Sequence, residues 1–125
     1  MQQFDAAVYK LKRRLLEQGG GTVHAVRYSE PDDGYVVAYQ KSTECKLDAC
    51  FALACLPALL AHFCRHHADT LKHPDCYVGV WYEGGFVYLD VVRRYSTAEE
   101  ALAVAAGASQ LAVWDATKGE CVYVH

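Results

Sequence analysis

The densest run of side chains with ligand chemistry is His62, Cys64, His66, His67, His73 and Cys76. His62 and His66 lie four apart, so on a helix they share a face, as two ligands of one zinc ion must. His73-x-x-Cys76 follows at a spacing that zinc sites also use, which makes His62, His66, His73 and Cys76 the candidate metal set. Two features count against it: Cys64 and His66 diverge around a helix, and no C-x-x-C pair anchors the set. The plainer reading packs Cys64 and His67 into a buried helix stripe and leaves His62 and His66 facing solvent.

Covalent chemistry has weaker support. A cysteine nucleophile needs a thiolate, a base and an orienting group converging in space. Cys64 with His67 or His66 and Asp69 supplies the types, but on one short helix they cannot form a triad. Cys50, Cys55 and Cys121 sit in apolar surroundings, where a thiol behaves as a small hydrophobe. Among the carboxylates, Asp32-Asp33 belong to a turn, Glu99-Glu100 open a helix and favour its dipole, and Asp90 stands alone on a strand. Asp90 beside Tyr88 is the one carboxylate with catalytic potential, against the plainer reading that it hydrogen-bonds a neighbouring strand or loop. No nucleophile elbow, phosphate-binding loop, dinucleotide fingerprint or H-E-x-x-H is present. The sequence implies no cofactor and no enzyme.

Nucleic acid is the third possibility. Lys10, Arg13 and Arg14, with Arg93-Arg94, are the basic clusters, and Tyr77, Trp81 and Tyr88 offer rings for stacking. A net charge of −3 and the lack of a continuous basic stripe weigh against it. The aromatic residues are the stronger lead. On the strand Phe86–Val92, Val87, Leu89 and Val91 point one way while Tyr88, Asp90 and Val92 point the other. Helices covering only the valine-leucine side would leave Tyr77, Trp81, Tyr88 and Asp90 as an exposed partner-binding patch.

The elements that position these residues are legible. Tyr77 to Val92 reads as two strands around Glu83-Gly84-Gly85, a hairpin signal. Residues 3 to 18 carry Phe4, Val8, Leu11 and Leu15 at helical spacing, ended by Gly19-Gly20-Gly21. Thr22–Tyr28 and Tyr35–Gln40 read as a first hairpin across Pro31-Asp32-Asp33-Gly34. Residues 44–56 fit helix or strand. Pro57 opens a helix to Leu71, with Leu60, Phe63, Cys64, His67 and Leu71 along one stripe and His73-Pro74 closing it. Ser96-Thr97-Ala98-Glu99 reads as a capping box for a helix that ends at Gly107. Gln110–Trp114 and Cys121–Val124 form a last hairpin. The expectation is an α+β domain spanning 1–125, an antiparallel sheet of three hairpins with about three helices, in the order αββ(?)αββαββ.

Composition agrees with that class. Hydrophobic residues make up 53% and charged residues 22%, which suits a globular chain, and nine tyrosines favour half-buried strand faces. The N-terminus MQQFDAAVYKLKRR lacks the apolar core of a secretory signal, and the run Ala49–Cys64 falls short of the roughly 20 residues of a membrane helix. A reduced, cytoplasmic protein with six free, buried thiols and no membrane span is expected.

The second part of the chain also carries a recognisable pattern: His73-Pro74-Asp75, Tyr77-Val78-Gly79-Val80-Trp81, Val87-Tyr88-Leu89-Asp90-Val91, Glu99-Glu100-Ala101-Leu102, Gln110-Leu111-Ala112-Val113-Trp114-Asp115 and Gly119-Glu120. It resembles small uncharacterised proteins of phages and actinobacterial mobile elements, over roughly the last two-thirds of the chain. Its many cysteines depart from that pattern. The shared motifs are turns, caps and core positions, so the resemblance carries over no catalytic residue. It implies a non-catalytic accessory protein that binds a bacterial protein target, of the kind that inhibits a defence system such as CRISPR.

Overall fold

The computed structural model describes residues 3–108, 110 and 112–123, without the side chains of 39–43. Helix α1 (Gln3–Gln18) leads into β1 (Gly20–Val23), and a connection over 24–34 reaches β2 (Tyr35–Asp48). Three helices follow, α2 (Ala49–Ala54), α3 (Leu56–His66) and α4 (Ala68–Leu71). Then come β3 (Cys76–Glu83), β4 (Phe86–Tyr95), α5 (Ala98–Gly107), β5 (Ala112–Asp115) and β6 (Glu120–Tyr123). The six strands form one sheet in the order β1-β3-β4-β2-β5-β6, with every pair antiparallel. The architecture is α+β.

The centre of the sheet forms as its sequence demands. Glu83 pairs with Phe86, so Gly84 and Gly85 make a two-residue turn, and both carry positive φ, 58° and 85°. That is the backbone of the tight hairpin turn whose twist matches its strands, and glycine adopts it without strain. Val87, Leu89 and Val91 on β4 face Val80 and Val78 of β3 in one core, closed by Leu11 and Leu15 of α1, Ala52 of α2, Leu56, Leu60 and Phe63 of α3, and Leu71 of α4. Each buried valine, leucine or phenylalanine among them contributes roughly 1.5–3 kcal/mol. Helix α5 lays Ala101 and Ala105 against Val37 and Val113 on the same side of the sheet. All five helices therefore cover one face.

Several expectations change. Thr22–Tyr28 and Tyr35–Gln40 do not form a hairpin: β1 pairs with β3, Gly20 opposite Trp81 and Val23 opposite Val78, while β2 lies between β4 and β5. Two hairpins remain of the three, β3–β4 and β5–β6; Leu111 and Val124 of the latter prediction lie outside the described residues. Residues 44–56 are both strand and helix, divided at Asp48, whose carboxylate Oδ1 accepts from Phe51 N at 3.2 Å and caps α2. The helix after Pro57 breaks at His67 into α3 and α4. The cap of α5 lies one residue later than read: Thr97 Oγ1, not Ser96, accepts from Glu100 N at 3.3 Å and lies 3.0 Å from Glu100 Oε1. Among the described residues no helix is long and apolar enough to cross a membrane.

The sheet is curled. In a flat sheet its first and last strands would stand about 24 Å apart. Yet Gly20 and Thr22 of β1 and Cys121 of β6 line one cavity of about 360 Å³, together with residues of the four strands between. The face away from the helices is thus concave. At its centre Gly79, opposite Asp90, has no room for a side chain: a Cβ there would stand 2.8 Å from Val92 Cγ1 and 2.9 Å from Asp90 Oδ1. We expect Gly79→Ala to destabilise the protein by about 1–3 kcal/mol in urea unfolding, as overpacking does. An unchanged midpoint would mean that the concave face is not packed at this point.

Candidate functional site

Alternation along β4 sends Tyr88, Asp90 and Val92 onto the concave face, and the cavity lies there. Its wall is mostly apolar, with Val36, Ala38, Val92, Ala112 and the rings of Trp81 and Trp114. Its mouth is polar. Glu30 accepts from Lys10 Nζ at 2.7 Å and from Arg14 Nε at 3.2 Å, tying the 24–34 connection to α1. Size and lining match a small-molecule pocket, in which apolar walls surround a few placed polar groups.

Asp90 lies behind the wall of the cavity rather than on its lining. It is 2% exposed, and Oδ1 has no hydrogen-bond partner among the described residues. Oδ1 stands at the point above Gly79 where Val92 Cγ1 and Trp81 Cζ3 also converge, and Gly79, Val92 and Trp81 all line the cavity. The carboxylate lies directly behind that wall. Opposite it the β2 ladder is irregular: Val91 pairs with Gln40 and Leu89 with Cys45, so an extra stretch of β2 faces one residue of β4. Glu44, on that stretch, adds a second negative charge. Burial first, and Glu44 second, push the Asp90 carboxyl up to about 7.

The four predicted partner-binding residues separate. Tyr77 is 5% exposed and so is not part of an open patch. The 24–34 connection covers it: the His24 ring meets it edge-on at 5.2 Å, and Arg27 Nη2 donates to Tyr77 Oη and to the Pro74 carbonyl, each at 3.1 Å. Asp90 is buried as well. Trp81 and Tyr88 are half-buried cross-strand neighbours, and Phe86 beyond them is exposed. The Lys46 ammonium sits 4.3 Å from the Phe86 ring centre and 5.7 Å from that of Tyr88.

The metal set is not assembled. His62, His66 and His67 cluster, with ring centres 6.2 and 4.7 Å apart along the row, but Cys76 is buried in the main core, where burial raises its thiol. His73 Nδ1 accepts from Asp75 N at 3.1 Å. Among the described residues no group of three or more His, Cys, Asp or Glu is arranged to hold a metal ion. All six cysteines are free, yet only Cys76 is buried, and Cys50 and Cys121 are exposed rather than enclosed in apolar surroundings.

Most of the basic residues proposed for nucleic acid are held in ion pairs within the fold. Lys10 and Arg14 share Glu30, Arg13 pairs with Glu17 at 3.3 Å, and Arg94 Nη2 meets Asp33 at 2.6 Å. The Arg93 guanidinium lies over the Tyr95 ring at 5.3 Å. The sequence pattern assigns no role to Trp114 and Glu30, which line the cavity, nor to His24, which packs against Tyr77. His24 is buried, and its Nδ1 accepts from Val26 N and Arg27 N at 3.1 Å each. Burial, then the Arg27 charge, lower its pKa.

No family of known proteins, no curated protein and no solved structure matches this chain.

The pKa of Asp90 gives a signed prediction. A carboxyl raised from 3.8 to about 7 binds a proton in the folded state that the unfolded chain gives up, so its stabilising contribution is complete below 3.8 and lost as pH rises through 7. An asparagine at this position has no such proton. Followed from pH 4 to pH 8 by urea unfolding, the stability of Asp90→Asn should gain on the wild type by up to about 4 kcal/mol. A difference that stays flat across that range would show that the carboxylate is solvated or paired.

Proposed function

We propose that this chain is a non-catalytic binding protein that engages a protein target stoichiometrically through the aromatic strip of its concave face. The observation that carries this reading is the Trp81–Tyr88 cross-strand pair, continued by Phe86 and flanked by the Lys46 ammonium, on the face that no helix covers. Tryptophan and tyrosine supply large contact area at low conformational cost and dominate the energetics of protein interfaces. Catalysis fits the arrangement less well, since Asp90 is screened from the cavity by Trp81 and Val92. The resemblance to phage and mobile-element proteins is the reason to seek the target among bacterial defence proteins, in the cytoplasm of the host cell. The site is therefore Trp81, Tyr88, Phe86 and Lys46, without Tyr77.

The test is capture from a bacterial lysate by the wild type and by the Trp81→Ala/Tyr88→Ala variant, in parallel and under a high-salt wash. One stoichiometric protein should be retained by the wild type and lost by the variant. Interface rings of this kind contribute roughly 2 kcal/mol or more each, so the purified target should bind the variant about 1,000-fold more weakly. Tyr88→Ala alone, which leaves the cavity wall intact, should weaken binding while keeping the melting temperature within a few degrees of the wild type. Undiminished capture by the double variant would remove the strip as the binding site.

A further inference from the structure

The cavity on the concave face has room for a ligand and a lining that selects one. Its volume, about 360 Å³, falls within the roughly 300–1,000 Å³ of small-molecule sites. An apolar space of roughly 150 Å³ already takes up benzene. The chain has two tryptophans, Trp81 and Trp114, and both stand on this lining. Trp81 comes from β3 and Trp114 from β5, with β4 and β2 between them in the sheet, so the curl brings both rings to one space. Val113 enters the core under α5, and alternation therefore turns Ala112 and Trp114 to the concave side. Indole faces are large, flat and apolar, which favours a planar ring as the occupant.

Charge decides the rest. The charged residues on the lining are Arg14 and Glu30, joined through Arg14 Nε and Nη2 at 3.2 and 3.4 Å. Lys10 also meets Glu30, at 2.7 Å, which leaves those three net positive. The polar recess outside the cavity shares Arg14, Glu30 and Trp114 with it and adds Lys10 and Asp32, so cations and carboxylates balance there. Asp90 lies behind Trp81 and Val92 and is not on the lining. A charged ligand would lose its hydration in an apolar space without meeting an unpaired counter-ion on the wall, a cost that an uncharged one avoids. Thr22, opposite Gly79 in the ladder, and Gln18 and Gln110 supply uncharged polar groups at the lining. We propose that the cavity binds a small uncharged planar aromatic molecule, its ring against Trp81 and Trp114 and its polar edge turned to Thr22, Gln18 or Gln110. Binding is non-covalent and uses the lining as it stands.

Two matched pairs of probes separate charge from size: naphthalene-2-carboxamide with naphthalene-2-carboxylate, and 2-naphthylmethanol with the cationic 2-naphthylmethylamine. Each is titrated by calorimetry into purified full-length protein at neutral pH, with the two tryptophan indole N–H resonances followed by NMR. The uncharged member of each pair should bind saturably with Kd below about 1 mM, and the charged member at least about tenfold more weakly. Both indole resonances should shift with the uncharged probes. Ala112→Phe, which fills the cavity from β5, should abolish binding. Trp114→Ala, which removes a half-exposed ring, should weaken it about tenfold. Thermal melts establish that each variant is folded, and Trp114→Ala decides the matter should Ala112→Phe not fold. The proposal is overturned if neither uncharged probe binds saturably, or if a charged probe binds as tightly as its uncharged partner. Wild-type affinity in the folded variants would overturn it too, by placing the probe outside the cavity. Both substitutions leave Trp81, Tyr88, Phe86 and Lys46 in place, so this result and that of the target capture are independent.

Discussion

Strand β4 is hydrogen-bonded along both edges, to β3 on one side and to β2 on the other, and that double pairing constrains everything around it. A strand so placed cannot twist a side chain away from its assigned face, because its alternation is locked into two ladders at once. Val87, Leu89 and Val91 must enter the helix-covered core, and Tyr88, Asp90 and Val92 must enter the concave side. The helices follow from the first set. The cavity follows from the second, since curling the sheet around a face that carries a bare glycine and a carboxylate leaves a space that the side chains do not fill.

The features legible in the sequence are those decided within a few residues of chain. Glu83-Gly84-Gly85 specifies its turn by the φ angles that glycine permits, so the central hairpin and the two faces of β4 could be read directly. The stripe on α1 is equally local: Val8, Leu11 and Leu15 are buried as their spacing requires. The partner of β1 is not local. The hydrogen-bonded turn of the 24–34 connection lies at His24–Ser29 rather than at Pro31-Asp32-Asp33-Gly34, and turn residues do not state which strand a four-residue edge such as Gly20–Val23 will meet. It crosses to β3, where Gly20 has Trp81 opposite and Gly21 has α1 packed above it at Leu11 and Arg14. The shift of the helix cap from Ser96 to Thr97 is a smaller case, since both hydroxyls suit the role and only backbone geometry separates them.

The site was half legible for the same reason. Alternation placed Trp81, Tyr88 and Asp90 on one face, and it did so correctly. Their exposure depended on two tertiary facts that alternation does not contain, the curl of the sheet and the path of the 24–34 connection. That path puts His24 and Arg27 on Tyr77, turning a candidate surface ring into a buried one. Basic residues were misleading in a parallel way: Lys10 and Arg14 look free in the sequence because Glu30, sixteen or more positions away, is brought back to them only by the fold.

Burying Asp90 works against the stability of the fold above neutral pH, because its carboxyl is pushed up to about 7. Trp81 links that group to the surface. On one side its ring edge stands over Gly79 beside the carboxylate, and across the ladder it neighbours Tyr88 at the start of the exposed strip. A change in the position of that ring is therefore felt both in the cavity and on the face proposed for a partner. Any molecule held in the cavity and any partner on the strip would both contact Trp81, and a coupling between them would be reciprocal. In this fold the sharing is imposed by the two-residue turn at Gly84-Gly85. Its register sets Trp81 opposite Tyr88 and Gly79 opposite Asp90, so the strip and the cavity cannot be altered independently by any substitution that slips the hairpin.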